Sequence, residues 1–192
     1  MSFNALGLPK TFLEILENEN YKNPYPIQEQ AIPVILKGHD VLGIAQTGSG
    51  KTASYVLPVL AALKQKQGAK DRQVDVLVLV PTRELAEQVK DVFHLFEKGV
   101  SHPVKTMAIY GGVSINPQMK SLFGISVLVA TPGRLLDLVD SNAVHFDKLK
   151  TLILDEADKL LNLGFKDEMN RIFALLPKKR QNLLFSATLN EK

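Results

Sequence analysis

Six short runs of aliphatic residues constrain the fold of this chain more than any other feature. They are VLGIA (41–45), VDVLVLV (74–80), VKTMAIY (104–110), ISVLVA (125–130), LKTLILD (149–155) and QNLLFSA (181–187). Most lack the polar alternation of a strand with one wet face, so they read as strands buried on both faces of a parallel sheet. Helical patterns lie between them. In TRELAEQVKDVFHLFEK (82–98), Leu85, Val89, Val92, Phe93 and Phe96 share one face, and Thr82 is a candidate N-cap. KTASYVLPVLAALKQ (51–65) is helical in pattern, with Pro58 expected to kink it or shift its hydrogen bonding. PIQEQAIPVILKG (26–38) begins on Pro26 and ends at Gly38, the usual asymmetry of helix ends. Segments 114–123, 132–140 and 166–176 complete the helices, and QGAKDRQ (67–73) reads as a loop. Strand–helix alternation of this kind predicts a doubly wound, mostly parallel α/β fold with helices on both faces. Such folds bind ligands at the carboxyl ends of the strands.

Composition narrows the function classes. The 192 residues are 45% hydrophobic and 22% charged, ordinary globular usage that supports one sizeable core. There is no Cys, which excludes disulfides and thiolate zinc sites. His39, His94, His102 and His145 show no metal-ligand spacing. A net charge of +3 permits nucleic-acid binding without arguing for it. No secretory pattern and no span-length apolar run is present, so a cytoplasmic monomer without membrane association is the default expectation.

AQTGSGKT (45–52) follows the first apolar run and opens a helix. The phosphate-loop pattern demands glycine where Ala45 stands, and Gly50, Lys51 and Thr52 satisfy the remainder. The first position needs little bulk, so alanine is acceptable there if its φ stays negative. Around the loop formed by Gln46, Thr47, Gly48, Ser49 and Gly50, backbone N–H groups can turn inward onto phosphate oxygens. Lys51 offers a mobile cation for the β and γ phosphates, and Thr52 a hydroxyl for Mg²⁺. The competing reading is a chance Gly/Ser turn before a helix.

A second acidic element would complete such a site, and TLILDEAD (151–158) supplies it. Asp155 stands at a strand exit, placed to hold Mg²⁺ through water, because that ion dehydrates reluctantly. Glu156 can orient or deprotonate an attacking water. An acidic helix start that complements the macrodipole is the alternative.

These motifs together resemble the first RecA-like, P-loop NTPase domain of a DEAD-box ATP-dependent RNA helicase, over nearly the whole chain. AQTGSGKT is similar to the family's motif I, where alanine at the first position is usual. PTRELA (81–86), Gly111–Gly112, TPGR (131–134), DEAD (155–158) and SAT (186–188) follow in the family's order. YKNPYPIQ (21–28) resembles its adenine-reading Q motif, with Phe3 at the place of the isolated upstream aromatic. TPGRLLDLV and KRQNLLFSAT look most like the bacterial RhlE-type branch. Two positions depart from the pattern. Asn20 replaces a glycine, a change that left-handed backbone tolerates, and Tyr25 stands where Thr or Ser is usual.

The resemblance implies residue roles. Gln28 would read adenine, since one amide can donate to N7 and accept from the N6 amino group. Tyr21 would stack on the base. Pro81, Thr82, Arg83, Gly111, Gly112, Thr131, Gly133 and Arg134 would line a sequence-independent track for single-stranded or duplex RNA. Ser186 and Thr188 would bond to the DEAD carboxylates, Asp158 foremost, and couple ATP state to RNA grip. ATP or ADP with Mg²⁺ is the implied ligand, with Lys51, Asp155 and Glu156 as catalytic residues and Thr52 and Asp155 toward the metal.

The whole chain reads as one domain, 1–192, with the Q-motif region 1–38 packed on it. The resemblance also implies a second RecA-like domain in the same protein, which would supply arginines to the γ-phosphate. The chain alone is therefore expected to bind adenine nucleotide, hydrolyse ATP poorly and leave duplexes intact. Two rivals are a P-loop phosphotransferase and a non-catalytic nucleotide-binding scaffold. The first leaves DEAD and SAT unexplained, and Glu156 argues against the second.

Overall fold

A computed structural model describes residues 2–65 and 72–188. The loop expected at 67–73 lies outside them except for its last two residues, of which Gln73 forms a parallel bridge with His145. All six apolar runs are strands: β1 (Val41–Ile44), β2 (Val76–Leu79), β3 (Thr106–Ile109), β4 (Val127–Ala130), β5 (Thr151–Leu154) and β6 (Gln181–Ser186). They form one sheet in the order β1-β6-β5-β2-β4-β3, and every pair is parallel. The expected fold class is therefore correct. Each strand is shorter than its apolar run, because the flanking residues leave the ladder to enter turns.

The helices are α1 (Lys10–Asn18), α2 (Pro26–Leu36), α3 (Lys51–Ala62), α4 (Arg83–Phe96), α5 (Ile115–Ser121), α6 (Pro132–Asp140), α7 (Ala157–Asn162) and α8 (Lys166–Leu175). A two-residue period in the central strands divides the core. Val76, Val78, Val127, Val129 and Ile153 face α1 to α4. Leu77, Leu79, Leu128, Leu152 and Leu154 face the side covered by α5 to α8. The chain steps outward through β1, β2 and β3 under one helical layer. It returns through β4, β5 and β6, which fill the gaps, under the other.

Local rules account for most helix ends. Thr82 caps α4, accepting the Leu85 N–H at 3.2 Å. Gly38 follows α2 at φ 81°, where a side chain would be strained. Helix α3 runs through Pro58 unbroken across Lys51–Ala62. Helices α1 and α7 were not legible as helices in the sequence reading. Helix α1 carries a readable signal, Phe12 and Leu16 four residues apart and both fully buried. Gln181 begins β6, and its amide donates to the carbonyls of Ile35 and His39.

Edge strand β1 pairs with β6 through the parallel ladder, and Gly43 leaves room there for a ring. The Tyr55 and Phe185 rings lie 5.1 Å apart, and a Cβ on Gly43 would sit 2.6 Å from two Phe185 ring carbons. Gly43→Ala should cost about 1–3 kcal/mol by overpacking. A lower denaturant midpoint at unchanged slope would show it; an unchanged midpoint would mean that the Phe185 ring has room to retreat.

Candidate nucleotide and nucleic-acid site

Because all strands are parallel, every strand exit lies on one edge, and all the conspicuous motifs apart from YKNPYPIQ (21–28) lie at these exits. Ladder hydrogen bonds extend into them. Ala45 N–H donates to Ser186 O, Thr131 N–H to Ile109 O and Asp155 N–H to Leu79 O.

The loop after β1 turns on Gly48 and Gly50, both at φ 82°. Ala45 is not among the non-glycine residues with positive φ, so its methyl costs nothing. Ser49 closes the turn by donating its hydroxyl to Gln46 O at 2.6 Å. The Lys51 ammonium, largely buried, folds back and donates to the Ala45 carbonyl. A cation parked on a backbone oxygen inside a glycine turn is free to exchange that partner for a phosphate.

A cavity of about 950 Å³ opens above this loop. Thr47, Gly48, Gly50, Lys51 and Thr52 line one side, Tyr21, Tyr25 and Gln28 another, and Asp155 and Glu156 also border it. Gln46 and Ser49 shape the loop without lining the cavity. Gln28 is fully buried. Its Oε1 accepts from Tyr25 N–H at 2.9 Å and its Nε2 donates to Gly50 O at 3.1 Å. The amide expected to be offered to a base thus also staples the start of α2 to the glycine loop. Gly50 must be glycine for this, because a Cβ there would sit 2.4 Å from Gln28 Nε2.

Asn20, the residue that departs from the family pattern, adopts φ 60° and so performs the glycine turn. Beyond it, Tyr21 is wedged edge-on between Phe3 at 6.4 Å and Phe96 at 5.8 Å. Phe3 is buried behind Tyr21, a support for that ring.

At the exit of β5, Asp155 is 2% exposed. Burial pushes its carboxyl above the usual range, against hydrogen bonds from the Tyr55 hydroxyl at 2.8 Å and Glu156 N–H at 2.9 Å. Glu156 stands at φ 52°, a costly conformation for a side chain of its size, and its carboxylate meets Lys159 at 3.0 Å. The donors gathered here, the Thr52 hydroxyl and two carboxylates, are all hard oxygens, the set that suits Mg²⁺. The fit holds on chemistry: Asp155 is a buried carboxylate whose two hydrogen-bond partners are neutral.

The SAT segment meets DEAD through Thr188, whose hydroxyl donates to Asp158 Oδ2 at 3.0 Å. The Ser186 hydroxyl donates to Thr188 O at 2.7 Å. Burial would raise Asp158, but the Ser186 and Thr188 hydroxyls nearby outweigh it and hold the carboxyl below its ordinary range.

The other strand exits carry the residues assigned to RNA. Gly111, Gly112 and Gly133 are exposed, as is Arg83, whose guanidinium lies 4.8 Å over the Tyr110 ring. Thr131 and Arg134 are half-buried. Pro81 is buried and offers no side-chain surface; it shapes the turn before α4. Arg134 donates to Val113 O at 2.8 Å and to Asp137 at 3.3 Å, bracing the Gly111–Gly112 loop against α6. Thr82 spends its hydroxyl on the α4 cap. Two residues escaped the sequence reading: Tyr55 and Tyr110. A lone phenol in the apolar helix YVLPVLAAL was a usable signal, since its hydroxyl must find a partner.

A doubly wound parallel sheet with a glycine phosphate loop and an acidic strand exit on one edge defines a P-loop nucleotide-binding protein. Residues 25–192 match the family model described as DEAD/DEAH box helicase. The chain is 45% identical over 190 residues to the DEAD-box ATP-dependent RNA helicase CshA of Streptococcus pneumoniae, covering 98% of this chain and 35% of that protein. It is 42% identical over 191 residues to the DEAD-box ATP-dependent RNA helicase RhpA of Helicobacter pylori, covering 99% and 37%. The crystal structure of a DEAD box protein from the hyperthermophile Methanococcus jannaschii superposes with a TM-score of 0.91 at 37% identity, over 99% of this chain and 51% of that one. The chain therefore belongs to the DEAD/DEAH box helicase family, and it spans just over a third of the length of these curated relatives.

Removing the Gln28 amide should leave Tyr25 N–H and Gly50 O without their partners. Gln28→Ala should therefore lower stability by about 2–3 kcal/mol even without nucleotide. Urea denaturation of the free protein measures it, and a loss under 0.5 kcal/mol would show that the staple contributes little.

Proposed function

We propose that this chain is the ATP-binding part of an RNA helicase, coupling an adenine nucleotide cycle to a grip on the RNA backbone. One observation carries the reading: a single cavity has the phosphate loop on one side, Tyr21 and Gln28 on another, and Asp155 and Glu156 at its border. The base would stack on Tyr21, with the Gln28 amide beside it. Phosphates would replace the Ala45 carbonyl as the partner of Lys51. Thr52 and Asp155 would hold Mg²⁺, which when bound would neutralise charge on the β and γ phosphates. Glu156 would orient or deprotonate the attacking water, once released from Lys159.

The exposed glycine exits at 111–112 and 133, with Arg83, would meet sugar and phosphate oxygens and leave base edges unread. The Thr188–Asp158 bond would join this track to the nucleotide site. The curated relatives are named ATP-dependent RNA helicases, which supports extending both substrates to this protein. No arginine lines the cavity among the described residues, and phosphoryl transfer is strongly accelerated by one. A second RecA-like domain of the full protein is the proposed source, so this chain alone should turn ATP over slowly and unwind nothing.

Calorimetric titration with ADP and with GDP in the presence of Mg²⁺ tests the reading. It predicts clear preference for ADP, with ATP turnover by the chain near background. Equal affinities would remove the adenine assignment, and fast RNA-stimulated turnover would overturn the need for an outside arginine.

A further inference from the structure

Tyr55 is fully buried in α3, three residues after Thr52 and four after Lys51, on the turn that follows the phosphate loop. Its ring packs on Phe185, but its hydroxyl does something packing does not require. It donates to Asp155 Oδ2 at 2.8 Å, across one hundred residues of sequence. Asp155 Oδ1 is fixed separately by Glu156 N–H, so both oxygens of the carboxylate are held.

That arrangement suits a cation. A carboxylate near a metal must be held so that its remaining lone pairs point at the ion or its waters. Tyr55 meets that need with the proton of its hydroxyl.

We propose that Tyr55 is a positioning residue for the Mg²⁺ site: its hydroxyl donates to Asp155 Oδ2 and orients that carboxylate for the ion. This rests on the reading that Thr52 and Asp155 hold the metal. A phenylalanine would fill the same space and leave Asp155 Oδ2 without that donor. Groups that orient metal ligands through hydrogen bonds typically matter by about 10–100-fold in metal affinity.

The test is the affinity of this chain for the β,γ-imido analogue of ATP, measured in Mg²⁺ and in EDTA. Wild type, Tyr55→Phe, Asp155→Asn and the double variant are compared, with a thermal melt for each. Tyr55→Phe should cut the ratio of the two affinities by about ten-fold while leaving the EDTA affinity and the cooperative melt in place. In the Asp155→Asn background it should change the ratio no further. A folded Tyr55→Phe with the wild-type ratio overturns the proposal, and so does a loss that is equal with and without Mg²⁺. If the wild type itself shows no Mg²⁺ dependence, the metal reading of Thr52 and Asp155 fails first and takes the proposal with it. Should Tyr55→Phe not fold, the wild type decides. The buried Tyr55 hydroxyl proton should shift its resonance when Mg²⁺ joins the nucleotide complex, and an unmoved resonance overturns the proposal.

Discussion

Six strands running in one direction are the constraint from which the rest follows. In a parallel sheet each strand must be left by a crossover, and every crossover begins on the same edge. Phosphate loop, glycine pair, DEAD and SAT are far apart in sequence, yet all are the first residues after a strand. The sheet is buried by alternate faces of the same strands, Val76 and Val78 to one helical layer and Leu77 and Leu79 to the other. The exits are therefore held by the core and need little stabilisation of their own.

Onto that edge the chain adds a second element, the segment from Phe3 to Gln28. The aromatic stack of Phe3, Tyr21 and Phe96 fixes one end, and the buried Gln28 amide fixes the other to Gly50. The cavity exists because these two attachments hold the segment over the glycine loop. In the proposed reading one side chain, Gln28, would both build the site and meet its ligand, which would couple nucleotide affinity to loop stability.

Much of this was legible in sequence. Unalternated Val, Ile and Leu runs marked all six strands, and AQTGSGKT and DEAD carried chemistry whose residue types are hard to explain otherwise. Side-chain economy was not legible. Gln28 looked free for a ligand because a sequence does not say which backbone groups lie opposite it. Ser186 was read toward the DEAD carboxylates, and its hydroxyl also donates to the backbone carbonyl of Thr188, two residues on. Pro81 sat in an RNA-facing motif yet is buried. Arg134, assigned to the RNA track, also braces Val113 O. Tyr55 passed for core because its phenol lies in an apolar helix, and only the fold brings Asp155 to it. In each case the partner is distant in sequence or belongs to the backbone, and periodicity carries no information about either.

The central claim is that nucleotide phosphates take over the place that Ala45 O now holds on Lys51, with the base between Tyr21 and Gln28. A crystal structure of the chain with ADP and Mg²⁺ measures this directly. The account predicts Lys51 Nζ on the β-phosphate and off the Ala45 carbonyl, and the adenine ring against Tyr21. A nucleotide bound elsewhere, or Lys51 still on Ala45 O with phosphate in the loop, would contradict it.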